Sequence, residues 1–329
     1  MKRISIVVPL YNEKGSLAEL YDGIVEAVEA IDAEAEFVFV DDGSQDGSTE
    51  VLKEFQRRDP RVKLVRFRRN FGKSAALSAG FDRSTGDVIV TLDADLQDQP
   101  FEMHRLLDRL EEGSDLVSGW KRVRHDGFGK RLASRIFNAI TSLLTGVPLH
   151  DINCGFKAYR REVIEEIKVY GEMHRFIPVL ASYRGFVVSE VPVAHRARPY
   201  GHSKYGVSRF VGGFFDLMTV IMLTRYNSKP LHIFGILGAS LFLIGIAIEV
   251  YLSIGWFFGN WIGDRPAFML GILLLIVGVQ FVFFGLLAEM IAYSSKRTDD
   301  YSVIETSMQE EQVAERLQGV APVRAPLPK

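Results

Sequence analysis

The sequence contains a single cysteine, Cys154, in 329 residues, which excludes an intramolecular disulfide. It also lacks a basic excess, because 39 Lys and Arg stand against 41 Asp and Glu, a formal net charge of −2. Affinity for a phosphate backbone depends on such an excess, so the composition argues against a nucleic-acid-binding protein. The N-terminus lacks a signal-peptide cleavage site, since the apolar run 4–10 is short and leads into Asn12 and Glu13.

Two common nucleotide-binding loops are missing as well. The Gly-Lys-Ser of residues 72–74 lacks the first glycine of a Walker loop, because Phe67 stands at that position. No G-x-G-x-x-G follows a predicted strand, so a Rossmann dinucleotide site is not expected. Local sequence also suggests no Ser–His–Asp or Cys–His pair. Any phosphate chemistry must therefore use another arrangement.

Two long apolar runs, residues 231–258 and 267–293, are present near the C-terminus. Each is long enough to cross roughly 30 Å of hydrocarbon as a helix. Buried core helices are the alternative, but these runs lack the polar face that such helices usually carry. We therefore predict two membrane spans. Basic residues flank the pair at both outer ends, which predicts that the N-terminal domain is cytoplasmic; they are Arg225, Lys229, Lys296 and Arg297.

The first 120 residues alternate between strand and helix patterns. Residues 73–81 have a helical pattern, and five short apolar runs read as strands: 4–10, 36–40, 62–67, 87–92 and 115–119. This alternation predicts an α/β domain with a mostly parallel sheet and helices on both faces. We expect this domain to occupy residues 1–205. It precedes an amphipathic interface helix (206–229), a two-helix transmembrane hairpin (230–294) and a mobile tail (295–329).

Acids and amides collect where three predicted strands end, in "PLYNE" (9–13), "DDGSQDGS" (41–48) and "DADLQD" (93–98). Ligands of such sheets bind at the carboxyl ends of the strands, although any one of these segments alone would be read as a solvated turn. If the fourth strand stays extended, Asp93, Asp95 and Gln97 project from one face. Two carboxylates and an amide form the oxygen-rich site that Mg²⁺ or Mn²⁺ prefers.

Six segments follow one another in a recognisable order: "VVPLYNE", "VDDGSQDGS", "RNFGKSAALSAG", "DADLQD", "NCGFKAYRRE" and "RPYGHSKYG". In order and spacing the chain resembles the family 2 glycosyltransferases with the GT-A fold. More narrowly, it is similar to the polyprenyl-phosphate glycosyltransferases, such as the dolichyl-phosphate mannose synthases and the bactoprenol glucosyltransferases. The resemblance covers about residues 4–210, and the two C-terminal runs resemble the bactoprenol branch.

The resemblance implies roles for the matching positions. Three residues, Asp93, Asp95 and Gln97, would hold Mg²⁺ or Mn²⁺ against the donor diphosphate, with Asp95 counted as catalytic. We also assign Lys73 to substrate binding. The remaining donor residues would line the base and ribose pocket or belong to a loop that closes over the donor. The pocket residues are Pro9, Tyr11, Glu13 and Asp42, and the loop residues are Arg198, Ser203 and Lys204.

Basic residues are concentrated between positions 121 and 135, where the only acid is Asp126. A lipid phosphate acceptor is already ionised, so it needs positioning and charge neutralisation more than a base. We assign Lys121, Arg131 and Arg135 to the acceptor phosphate, with Arg131 counted as catalytic. A solvated face or attraction to anionic lipids are alternatives. Asp151 is assigned to orienting the acceptor or acting as base, and a helix cap or loop role stays open.

The sequence thus predicts an inverting, metal-dependent transfer of sugar from a UDP- or GDP-sugar to undecaprenyl or dolichyl phosphate. The reaction would occur at the cytoplasmic face of a membrane, expected to be the bacterial inner membrane, in contact with its lipids. A homo-oligomer is left open. A processive polysaccharide synthase is one alternative, although the Q-x-x-R-W motif of those enzymes is missing. A non-catalytic membrane scaffold with a nucleotide-binding domain is the other.

Overall fold

The computed structural model describes residues 3–122, 128–167, 171–196, 208–225, 230–259, 261, 263 and 265–295. All but the first residue of the predicted C-terminal tail lies outside these ranges. Seven strands in this part of the chain form one sheet. They are β1 (Ile4–Leu10), β2 (Ala35–Asp41), β3 (Val62–Arg66), β4 (Val88–Thr91), β5 (Leu116–Lys121), β6 (Lys157–Arg160) and β7 (Val188–Val193). The strands expected in the first 120 residues are all present.

The order of the strands in the sheet is β3-β2-β1-β4-β6-β5-β7. Strands β1 to β4 are mutually parallel, and β5 is parallel to β7. Strand β6 runs antiparallel between β4 and β5. The mixed α/β sheet confirms the predicted fold class, while β6 and β7 are additions that the strand pattern did not predict. As expected, the carboxyl ends of β1, β2 and β4 meet at one edge.

Helices flank this sheet and continue beyond it toward the C-terminus. They are α1 (Leu17–Ile31), α2 (Ser48–Arg58), α3 (Lys73–Arg83), α4 (Met103–Glu111), α5 (Phe128–Thr145), α6 (Arg161–Glu166), α7 (Ile177–Tyr183), α8 (Ser208–Arg225), α9 (Pro230–Phe257) and α10 (Pro266–Ser295). Single 3-10 turns occupy Pro100–Glu102 and Met173–Phe176.

Strand β1 shows why its sequence is apolar throughout. Ile6 and Val8 belong to the core shared with α1, whereas Val7 belongs to the core shared with α3. A strand covered on both faces must be apolar at successive positions, not only at alternate ones. The sheet is therefore rigid at the edge where its polar strand ends collect.

Helix α8 has one face in the domain and one face outside it. Leu217 and Val220 are buried in a cluster with residues from the 147–152 segment and α7. Phe214, Phe215 and Met218 on the other face are exposed. This two-sided pattern fits the amphipathic helix predicted there.

Helices α9 and α10 are compatible with membrane spans. Their most apolar stretches have mean hydropathies of 2.3 and 2.7, and only 11% and 17% of those stretches is buried within the protein. Core helices of a soluble protein would be mostly buried, so these two need an apolar environment of another kind. The helices pack through glycines: a Cβ at Gly278 would lie 2.7 Å from the carbonyl oxygen of Gly238.

Candidate active site

The end of β4 turns sharply instead of staying extended. The strand stops at Thr91, residues 94 and 95 form a turn, and Leu96 adopts a left-handed conformation with φ of 59°. The backbone N–H of Gln97 donates to Asp95 Oδ1 at 3.1 Å. The strand therefore does not stay extended to Gln97, so the two-residue repeat on which a shared face depended is absent, and the assignment of Asp93, Asp95 and Gln97 as metal ligands stays a prediction. Asp93 directly precedes this turn and Asp95 lies in it.

The carboxylate of Asp93 is held by a lysine and by a close backbone approach. Lys73 Nζ, at the start of α3, donates to Asp93 Oδ1 at 2.5 Å. On the other side lies Gly155, where a Cβ would come within 2.6 Å of Asp93 Cγ. Enclosure by the protein alone raises the pKa of Asp93, but the cations Lys73 and Lys121 outweigh it and lower that pKa to about 2. Asp93 is therefore ionised and ready to hold a cation.

A second ion pair lies deeper in the same site. Lys121 Nζ lies 2.7 Å from Asp98 Oδ1, and both side chains are largely buried. Burial raises the pKa of Asp98. Burial alone lowers the pKa of Lys121, but the neighbouring Asp98 outweighs it and raises that pKa. The assignment of Lys121 to the acceptor phosphate stays a prediction, and in this structure Asp98 engages its ammonium group.

The ends of β1 and β2 are joined by hydrogen bonds between their loops. Asn12, with φ of 56°, accepts the N–H of Gln45 on its Oδ1 at 2.8 Å and donates its own N–H to Ser44 Oγ at 2.9 Å. Pro9, Tyr11 and Glu13, predicted to line the base and ribose pocket, are partly exposed along this edge. The two hydrogen bonds thus hold the loops after β1 and β2 together at this edge.

Asp42 fixes the loop that leads to Lys73. Its two carboxylate oxygens accept the backbone N–H groups of Phe71 at 2.6 Å and Gly72 at 2.9 Å. Burial raises the pKa of Asp42, more than these two hydrogen bonds lower it. A role in the nucleoside pocket stays a prediction, and the contacts show that Asp42 also positions the start of α3.

Behind Asp93 the structure contains a small polar cavity that we call the basic chamber. Its volume is about 10 Å³, room for about one water molecule. Its polar lining consists of Lys73, Thr91, Asn153, Lys157, Tyr159, His174 and Arg175, with Cys154 and Gly155 between them. Lys157 and Arg175 were not predicted from the sequence. A lysine inside the otherwise apolar "GFKAY" was the signal that could have revealed Lys157.

The charge state of the chamber follows from its contacts. Lys157 Nζ donates to the backbone carbonyls of Ile152 and Cys154, and burial lowers the pKa of this lysine. His174 Nδ1 lies 2.8 Å from Ser74 Oγ, and burial, followed by the nearby Lys73, lowers the pKa of His174 well below its usual value. His174 is therefore a neutral imidazole, and burial also disfavours the charged form of Lys157.

The other predicted site residues are spread more widely. Asp151 is buried two residues before Asn153, which lines the basic chamber. Arg135 is exposed on α5. Arg131 lies in α5, but its side chain falls outside the described part of the structure. Arg198, Ser203 and Lys204 also lie outside the described residues, so the structure does not place the predicted donor loop.

The donor set at the end of β4 fits a divalent cation in its chemistry. Asp93 and Asp95 supply carboxylate oxygens at one turn, and hard cations such as Mg²⁺ and Mn²⁺ prefer such ligands. Lys73 already supplies a positive charge at Asp93, 2.5 Å from its Oδ1. Among the described residues no three His, Cys, Asp or Glu side chains form a ready metal cluster. A cation there would therefore take further ligands from a substrate diphosphate.

Comparison with known proteins places the chain among sugar transferases. The family model described as Glycosyl transferase family 2 matches residues 5–168. The dodecaprenyl-phosphate galacturonate synthase of Rhizobium johnstonii is 39% identical over 305 residues, which cover 90% of this chain and 89% of that protein. An undecaprenyl-phosphate 4-deoxy-4-formamido-L-arabinose transferase of Pseudomonas syringae is 38% identical over 302 residues, covering 90% of this chain and 88% of the relative.

A solved structure supports the same fold. The glucosyl-3-phosphoglycerate synthase of Mycobacterium tuberculosis, in complex with Mn²⁺ and UDP-glucose, superimposes with a TM-score of 0.52 at 20% sequence identity. The match covers 68% of this chain and 79% of that one. At this identity the likeness concerns the fold alone.

Proposed function

The chain belongs to glycosyl transferase family 2 and is a glycosyltransferase of the polyprenyl-phosphate sugar synthase type, and from this premise we propose its reaction. It transfers a sugar from a nucleotide-sugar to a polyprenyl phosphate and depends on Mg²⁺ or Mn²⁺. The observation that carries the proposal is the ionised Asp93, held beside Asp95 at the carboxyl end of β4 by Lys73. Carboxylates in that position serve a diphosphate only through a cation.

The proposed reaction needs charge stabilisation more than proton transfer. A divalent cation, when bound, would stabilise the negative charge that develops on the leaving nucleoside diphosphate. An oxygen of the acceptor phosphate forms a bond to the anomeric carbon of the sugar, on the face opposite the diphosphate. The sugar–diphosphate bond breaks and its electron pair leaves with the nucleoside diphosphate. The acceptor phosphate is already a dianion or monoanion, so no base is required. Because the attack comes from the face opposite the diphosphate, the anomeric configuration inverts.

The residues around the cation position prepare this step. Asp42 holds the loop before α3, and that loop places Lys73 at Asp93. Asp93 would be one of the residues that hold the cation, and Lys73, which lies beside it, would donate to a diphosphate oxygen. Tyr11 and Glu13, at the end of β1, bind the nucleoside part of the donor. Asp95, fixed by the N–H of Gln97, is the second carboxylate of the cation site.

The membrane arrangement follows from the two apolar helices. Helices α9 and α10 cross the bilayer, and α8 lies in its interface with Phe214 and Phe215 toward lipid. The catalytic domain lies on the cytoplasmic side of a bacterial inner membrane in this proposal, which the basic residues at the outer ends of the hairpin support. The acceptor phosphate, attached to a membrane lipid, then reaches the domain from the side of α8.

The test is sugar transfer by the purified full-length protein in detergent. Labelled UDP- and GDP-sugars, including UDP-galacturonate and a UDP-linked 4-deoxy-4-formamido-L-arabinose, are offered with undecaprenyl phosphate and Mn²⁺, with and without chelator. We expect one labelled lipid, lost with chelator and reduced at least about hundredfold in Asp95→Asn. Asp82→Asn, an exposed acid of α3, is the matched control and retains activity.

Other outcomes would contradict the proposal. A labelled water-soluble polymer would indicate a processive polysaccharide synthase. A folded protein that neither transfers sugar nor binds nucleotide with Mn²⁺ would indicate a scaffold.

A further inference from the structure

The first turn of α3 carries Lys73 directly behind a glycine that cannot cap the helix. Helix α3 begins at Lys73, and Gly72 before it has no side chain to accept the free N–H groups of the first turn. The ends of helices fray when nothing holds them. The Lys73 ammonium group nevertheless lies 2.5 Å from Asp93 Oδ1. Holding it there requires an anchor for the first turn outside the helix itself.

Two contacts join this first turn to His174, which is a hundred residues away in the chain. Ser74 Oγ lies 2.8 Å from His174 Nδ1, and the same oxygen accepts the backbone N–H of His174 at 3.2 Å. Ser74 is 2% exposed and the His174 side chain 11%, so water competes little with either contact. Because Ser74 directly follows Lys73 in the helix, fixing Ser74 also fixes the backbone from which the Lys73 side chain extends.

The short turn that carries His174 is itself firmly packed. Met173 and Phe176, on either side of His174, are buried in the cluster that includes one face of α8. Arg175 Nη1 lies 3.9 Å from Asp216 Oδ2 on the same helix. A turn held in this way can serve as a fixed point for α3.

The charge state of His174 also fits this place. Burial, followed by the nearby Lys73, lowers the pKa of His174 well below its usual value, so the imidazole is neutral. A cationic side chain at this position would repel the Lys73 ammonium group, which lines the same chamber. A neutral ring holds Ser74 without disturbing the ion pair between Lys73 and Asp93.

We propose that His174 is a positioning residue, which holds Lys73 at Asp93 through its contacts with Ser74. The inference rests on the proposed function, in which Lys73 donates to a diphosphate oxygen of the donor. The effect of His174 on sugar transfer passes through the first turn of α3, so it depends on the presence of the Lys73 ammonium group. A residue that served only the stability of the fold would not show this dependence.

The test is a double-mutant cycle in the full-length enzyme with His174→Ala, Lys73→Met and the double variant. The measurement is kcat/KM for the donor at saturating undecaprenyl phosphate. In the wild-type background we expect His174→Ala to lower it about tenfold, since a misplacement of about 1 Å can cost up to about a hundredfold. In the Lys73→Met background the same change should cost less than about twofold. The affinity for UDP or GDP in the presence of Mn²⁺ should follow the same pattern.

Three further variants guard against a purely structural explanation. His174→Asn keeps a hydrogen-bonding atom as many bonds from the backbone as Nδ1 and should recover most of the lost rate. His104→Ala is the matched control: the Nδ1 of His104 lies 2.7 Å from the carbonyl oxygen of Phe101, three residues earlier, and its loss should leave kcat/KM unchanged. If His174→Ala unfolds, as its thermal transition would show, Ser74→Ala takes its place in the cycle, because it removes the same contacts from the other side.

The remaining outcomes separate this inference from the proposed function. Equal losses from His174→Ala with and without Lys73 would overturn the positioning role, and so would a His174→Ala enzyme with wild-type kcat/KM. A His174→Asn enzyme no better than His174→Ala would overturn it as well. A wild-type protein that binds UDP or GDP with Mn²⁺ but transfers no sugar would refute the proposed function alone, and the cycle would then be decided by the nucleotide Kd values. A wild-type protein that binds neither nucleotide would refute both, since Lys73 would have no diphosphate to hold.

Discussion

Replacing Gly155 with alanine would place a methyl group against the carboxylate of Asp93. The added Cβ would lie 2.6 Å from Asp93 Cγ and 2.7 Å from its Oδ1, whereas ordinary contacts begin at 3.4 Å. The backbone at this position cannot easily retreat, because the carbonyl of Gly155 accepts a hydrogen bond from Thr91 Oγ1 at 2.7 Å. Asp93 must therefore shift by about 1 Å.

We expect this shift to reduce activity far more than stability. A misplacement of about 1 Å in a catalytic group can cost about a hundredfold in rate. The assay is kcat/KM for sugar transfer, combined with Mn²⁺-dependent nucleotide binding, which should weaken in parallel. The thermal transition should move little, because the carboxylate is partly exposed and can rotate toward solvent. Gly212→Ala in α8 is the control, since a Cβ there meets nothing within 4 Å.

A Gly155→Ala enzyme with wild-type kcat/KM and wild-type nucleotide binding would refute the expected loss of activity. That result would mean that Asp93 does not need its present position, and hence that it does not hold the cation. Equal losses in the Gly212→Ala control would instead point to a general effect of added methyl groups on folding.

Three other changes have outcomes that follow from contacts described by the structure. Burial alone raises the pKa of Glu36, but hydrogen bonds, first that of Lys63, outweigh it and lower that pKa from 4.5 to about 2. The ionised Glu36 therefore stabilises the fold by about 3 kcal/mol, an effect that is complete above pH 4.5 and is lost as pH falls toward 2. Acid unfolding of the wild type should show this loss of stability, and acid unfolding of Glu36→Gln should not. Gly278→Val should separate α9 from α10, because its side chain would meet the carbonyl of Gly238, and the protein in detergent should melt at least a few degrees lower. Asp42→Asn should loosen the loop 69–72, whose N–H groups it accepts, and raise the donor KM severalfold while the acceptor KM holds.

Much of the fold was predictable because β1, β2 and β4 are buried on both faces. Such strands are continuous apolar runs, and the pattern places β1 to β5 within one or two residues of their observed ends. Strand β6 was missed because "KAYR" has four residues and begins and ends with a basic side chain. Its central antiparallel position depends on pairing with β4 and β5, which are distant in sequence.

The site was predictable in its location but not in its geometry. Polar strand ends pointed to the correct edge of the sheet, including Asp93 and Asp95. The turn at the left-handed Leu96 was not predicted, since a bulky residue rarely adopts that conformation and no glycine marks the turn. The charges near the site also pair in ways that no local pattern reveals: Lys73 with Asp93 and Lys121 with Asp98.

The packing of α8 has a consequence for anyone who wishes to work with the enzyme free of lipid. A chain shortened at residue 205 would remove Leu217 and Val220, which are 2% and 0% exposed, and would leave the cluster around Phe176 open to water. Such a fragment should precipitate during purification. A shortened version that ends near residue 225, with polar replacements at Phe214 and Phe215, would keep the cluster closed and remove the exposed apolar face of α8. This version is the better starting point for crystallisation.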